Sequence, residues 1–239
     1  LGQLFKVPDL NQLAHSLEPL LDEFRLQGIS SDSNKSLGFM TTQINLTNKL
    51  LVKNLDPVER TLTEPYFKFL EDHIALPWQR LCAAAAANYR AGEPMFGIVE
   101  RMLPMISDIS MAAHKQWSDD FPYYRGRRGR LDQCEVEHSS LRDFNMFQVY
   151  LWLSFLQKHS RVIEQELVVV CRLVYGHIGI PWNMTIRGAE LLIDTLLSHL
   201  EPYERSLLTP CTTHMMKAFL ENDTVNIDTK LLPIHNLNT

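Results

Sequence analysis

Apolar residues recur along this chain at intervals of three and four, and nowhere do they alternate convincingly with polar ones. That spacing places them on one face of an α-helix and excludes a half-buried sheet as the main architecture. Leu10, Leu13, Leu17, Leu20, Leu21 and Phe24 form one such stripe over residues 9–27, where Ser16 can cap a helix restart at Pro19. Leu37, Met40, Ile44, Leu51 and Leu55 form another over 35–55. No Asn-Gly or Asp-Gly hairpin signal interrupts the series. The spacing predicts an all-α bundle of about eight to ten helices.

Breaks in the stripes set the expected boundaries. Asp56-Pro57-Val58-Glu59 carries a cap, a first-turn proline and a capping-box glutamate. Pro65 and Pro77 are expected to divide the next stretch into helices near 57–63, 65–75 and 77–91, ending at Gly92. Ala83 to Ala87 has no bulk, which suits a helix that a neighbour approaches closely. Pro104 should kink or divide a helix over 93–116. Further helices are expected over 140–158, 160–176, 183–200 and 209–221, with an extended tail after them. The helix over 140–158 carries Phe144, Phe147, Tyr150, Trp152 and Phe155 on nearly all faces, so deep burial is expected.

A weak echo runs through the chain. Tyr66 to His73 aligns with Trp152 to His159, Gln79 with Gln165, Leu81 with Leu167 and Tyr89 with Tyr175. Gly92 and Pro94 then correspond to Gly179 and Pro181 after one residue of slippage. The pattern suggests two related helical halves, 1–118 and 133–222, joined by the loop 119–132 within a single domain, with 223–239 as a tail.

Composition narrows the function classes. A hydrophobic fraction of 45% suits a globular core, and a net charge of -5 argues against binding nucleic acid or anionic membrane with the whole surface. No apolar run is long enough to span a bilayer. No signal peptide opens the chain, although its start at Leu-Gly-Gln leaves room for an upstream segment. Cys82, Cys134, Cys171 and Cys211 show no zinc or Cys-x-x-Cys spacing, so free thiols in the cytoplasm are expected. Four Asn-x-Ser/Thr triplets, at Asn34, Asn45, Asn183 and Asn222, are read as chance.

Three constellations carry chemistry. Tyr123, Tyr124, Arg125, Arg127, Arg128 and Arg130 gather in the central loop. Arginine forks grip carboxylates and phosphates, and Arg and Tyr dominate interface hot spots. The leading expectation is therefore a non-enzymatic regulatory protein that docks a protein partner, or itself, through this loop. Flanking Asp119, Asp120, Asp132, Glu135 and Glu137 can neutralise it. Second, His73 and His159 occupy matching places in the echo. With Tyr150 and Trp152 they suggest a sensor that buries a hydrophobic or tetrapyrrole ligand between the halves. Third, Glu135 and His138 share a helix face at a spacing that suits a metal-dependent enzyme. No nucleophile motif or phosphate loop supports an enzyme reading, and no cofactor is favoured.

Overall fold

The computed structural model describes residues 46–126 and 129–221, with positions 12, 16, 17, 19, 20, 23 and 44 before them. Most of the expected helix over 9–27, the start of the one over 35–55, and the tail lie outside the described residues. Eight α-helices follow Asp56: α1 (Pro57–Ala75), α2 (Trp78–Arg90), α3 (Pro94–Met102), α4 (Ile106–Asp120), α5 (Cys134–Gln157), α6 (Val168–Ile178), α7 (Trp182–Ser198) and α8 (Pro202–Glu221). The expected multi-helix bundle is the observed one. None of the described helices is long and apolar enough to cross a membrane.

The helix signals act as their chemistry dictates. The Asp56 carboxylate accepts from the Val58 and Glu59 amides at 2.8 Å each, and Glu59 accepts from the Asp56 amide at 3.2 Å. The capping box is complete. Gly92 (φ 68°) and Gly179 (φ 79°) end α2 and α6 in the left-handed region, as their places in the echo suggest. Pro104 does divide its segment, through a short 3₁₀ turn at Leu103–Met105.

Several boundaries depart from expectation: α4 runs on to Asp120, α5 begins at Cys134 rather than near 140, and α8 begins at Pro202 rather than near 209. Pro65 does not end a helix but lies within α1, and Pro210 lies within α8. Both are on exposed faces, where water can take the carbonyl that proline leaves unpaired. The central loop also holds a two-residue antiparallel ladder, β1 (Arg125–Gly126) with β2 (Gly129–Arg130). Alternation could not reveal so short a pair. It depends on Gly129 (φ 127°), a backbone conformation that residues with a Cβ rarely adopt.

The core forms around α5. Helix α4 packs on α5 and α7, α2 packs on α5, and α8 covers α7 and α5. The closest side of α2 is Leu81, Ala84, Ala85 and Asn88, so the alanine run does allow close approach. Asn88 fixes the contact by donating to the Leu156 carbonyl at 3.0 Å. No described side chain of α1 is buried, so that helix is peripheral. A single-turn π-helix at Ile163–Leu167 precedes α6.

Candidate functional site

The aromatic helix α5 does not pack uniformly. Near its N-terminus two adjoining cavities open between α4, α5, α6 and the start of α7, beneath the β1–β2 ladder. The outer one has a volume of about 170 Å³ and is lined by Trp117, Tyr124, Gly126, Gly129, Leu131, Val136, Ser139, Ser140, Arg142, Asp143, Val174, Ile178 and Ile180. The inner one, about 40 Å³, shares Trp117, Ser140, Asp143 and Ile180, and adds Phe144, Phe147, Tyr175, Met184, Thr185 and Gly188. Trp117 anchors the junction, donating its indole N–H to the Met184 carbonyl at 2.8 Å.

One charged constellation interrupts these mostly apolar walls. Arg142 donates from Nη2 to Asp143 Oδ1 at 3.2 Å, and the Tyr175 hydroxyl donates to Asp143 Oδ2 at 2.9 Å. Burial works against the charge on Arg142, but the Asp143 carboxylate outweighs it and holds the guanidinium above its usual pKa. Burial, and then the Asp143 charge, push the Tyr175 phenol well above its ordinary range. Burial does the same to the Cys171 thiol, which therefore stays protonated. Mostly apolar walls with a few convergent polar groups are the form of a small-molecule site.

The expected loop residues divide. Tyr124 lines the outer cavity, and its hydroxyl donates to the Gly179 carbonyl at 3.3 Å. Burial raises its phenol pKa. Tyr123, its neighbour, is 96% exposed. Arg125 is exposed, and Arg130 pairs with Asp132 at 3.1 Å, as the flanking acids suggest. Asp120 pairs elsewhere, with Arg187 at 2.7 Å. Arg127 and Arg128 lie outside the described residues.

The other two constellations do not converge on the cavity. His159 is exposed, just beyond the left-handed Lys158 that ends α5. Trp152 and Tyr150 are buried in the core and line neither lobe. The Tyr150 hydroxyl reaches Glu166 at 3.4 Å. The side chains of His73 and Glu135 are not among those described. His138 has its pKa lowered by burial and then by Lys68, Arg142 and Lys49. Among the described residues no three His, Cys, Asp or Glu side chains gather as a metal site. No disulfide joins the four cysteines, and none of them lines either lobe.

Sequence reasoning missed the Arg142–Asp143–Tyr175 constellation. One signal was present: adjacent opposite charges at the head of the long aromatic run from Phe144 to Phe155.

Residues 70–219 match the family model described as "Phycobilisome protein". The match covers well over half of the chain, and the chain belongs to that family. It contains α2 to α7 entire, α8 but for its last two residues, and every lining residue of both cavities. No curated protein matches the chain.

Proposed function

We propose that this member of the phycobilisome protein family binds a tetrapyrrole in the cleft between α4, α5, α6 and α7, as part of a self-associating assembly. The observation that carries the reading is the Arg142–Asp143 pair, set in the wall of a mostly apolar cavity inside the family-matched segment. Family membership supports a tetrapyrrole as the ligand and favours the ligand-burying expectation over docking through the arginine loop. It also supports self-association, in an assembly at a membrane surface rather than free in the cytoplasm. Exposed Leu46, Leu50 and Leu51 before α1, and Val58 and Leu62 on it, are surfaces suited to such contacts.

The wall residues suit this chemistry. A tetrapyrrole is a flat apolar body with ring N–H donors and acidic side arms. Asp143 offers a carboxylate to a ring N–H. Arg142 gives one N–H to Asp143, and the rest of its fork suits an acidic arm. Trp117, Phe144 and Phe147 would offer aromatic surface to a conjugated ring. The cavities are smaller than the roughly 300–1,000 Å³ of a typical ligand site. The part of a tetrapyrrole that the cavities do not hold would be carried by the residues around Tyr124, at the outer lobe. When bound, it supplies absorption of visible light. With no cysteine in the lining, the reading is of a ligand held without a covalent bond.

The test is a titration of the full chain with biliverdin, a linear tetrapyrrole, and with hemin, a cyclic one, followed by absorption and by native and denaturing mass. The expected result is saturable one-to-one binding of at least one of them, with loss of the added mass on denaturation. Binding of neither overturns the reading. Added mass that survives denaturation and maps to Cys134 contradicts its non-covalent part.

A further inference from the structure

Among the described residues, Asp143 is the sole carboxylate lining the two lobes. A carboxylate in such a wall serves a ligand only when its oxygens are held in one orientation. Its two donors differ in how firmly they can hold it. Arg142 is its neighbour in sequence, on the same helix, with a side chain 26% exposed. Adjacent helix residues diverge in direction, and the long arginine stem is flexible. Tyr175 comes from α6, is 6% exposed, and its ring forms part of the inner wall. Cys171, one turn earlier on α6, is 1% exposed, so the helix that carries Tyr175 is held in the core.

We infer that Tyr175 is the positioning residue of this site: its locked hydroxyl turns the Asp143 carboxylate so that the remaining lone pairs face the cavity as acceptors for a ligand N–H. The inference rests on the tetrapyrrole reading above and adds to it the residue that makes Asp143 competent. The phenol stays a donor throughout the physiological range, because burial and the Asp143 charge oppose its ionisation.

The test uses the full chain with biliverdin as the probe. Tyr175→Phe keeps the ring and removes the hydroxyl. It is expected to weaken the biliverdin Kd about tenfold, as for loss of a hydrogen bond to a charged group. The same change made in an Asp143→Asn background is expected to cost less than about twofold, because the group that Tyr175 orients is then gone. Equal costs in the two backgrounds assign Tyr175 to packing alone and overturn the inference, as does no cost in either. Should Tyr175→Phe unfold the chain, Asp143→Glu serves instead. It keeps the charge but carries it past the hydroxyl, and undiminished biliverdin binding by it overturns the inference. Failure of the unmodified chain to bind biliverdin or hemin overturns the tetrapyrrole reading and this inference with it, before any variant is compared.

Discussion

The two halves of α5 face different surroundings. From Val149 to Leu156 every residue is buried, with Leu151, Trp152 and Leu153 at 1%, 0% and 0% exposure. From Ser139 to Phe147 the same helix forms a cavity wall and carries the Arg142–Asp143 pair. Both halves are rich in aromatics, so composition does not make the difference. The neighbours make it. The C-terminal half meets α2, whose small Ala84 and Ala85 let the two helices close together. The N-terminal half meets the β1–β2 ladder and the α6–α7 turn, which bridge above it through the Tyr124–Gly179 hydrogen bond. A helix can thus serve as core and as site wall within its own length.

The largest expected effect lies in the dry half. Trp152→Ala removes a side chain with no exposure and should cost about 3–5 kcal/mol of stability. Urea denaturation measures the cost, and tetrapyrrole affinity per folded molecule should not change. A small cost would mean that this half is not the tightly packed core described here.

Gly188 tests the cavity half. A Cβ there would sit 3.4 Å from Phe144 and 3.5 Å from the Trp117 indole nitrogen, which is ordinary contact. Gly188→Ala should therefore be tolerated and gain up to about 1 kcal/mol from helix propensity. Gly188→Leu should fill the inner lobe, cost about 1–3 kcal/mol and weaken biliverdin binding. Thermal denaturation paired with the absorption titration separates the two. Undiminished binding by the leucine variant would place the ligand elsewhere.

A smaller effect concerns acid. His114 on α4 packs against Trp117 and Phe144, and its Nε2 has no hydrogen-bond partner among the described residues. Burial lowers its pKa below the ordinary 6.5, with Glu137 partly opposing. His138 is shifted the same way. The unfolded chain then binds protons that the folded chain refuses. The stability these groups allow is full above about pH 6.5 and falls as pH drops toward their folded pKa values. The slope is at most about 1.4 kcal/mol per pH unit for each group. His114→Leu should flatten part of that slope between pH 7 and 5 in chemical denaturation. Parallel slopes would show that His114 is not buried in its neutral form.

The smallest effect is expected at the loop. Arg130 and Asp132 are both more than half exposed, so Arg130→Ala should change stability by less than about 1 kcal/mol. The same variant tests the loop as a docking surface beside exposed Tyr123 and Arg125. Analytical ultracentrifugation should detect weakened self-association if the loop contributes, and an unchanged sedimentation profile removes Arg130 from the interface.

The helices are legible in the sequence, because apolar periodicity and capping are local. Asp56 to Glu59 forms its expected box, and Gly92 and Gly179 end their helices as their residue type suggests. Pro65 departs from its expected role because a proline on an exposed face need not break a helix. The site is not legible. Asp143 and Tyr175 are 32 residues apart, and nothing local says that α6 folds back to bring them together. Arg142 and Asp143 look like a solvated pair until α4, α6 and α7 enclose them. His159 looks placed for a ligand because it matches His73 in the echo, yet the helix end that carries it emerges at the surface.

The central claim is that ligand binds at the N-terminal half of α5 and not near its C-terminal end. Hydrogen–deuterium exchange of the full chain with and without biliverdin tests it most directly. The account predicts new protection over residues 124–126, 139–147 and 174–188, with none around His159. Protection confined to the α5 C-terminus and the π-turn after it would contradict the account.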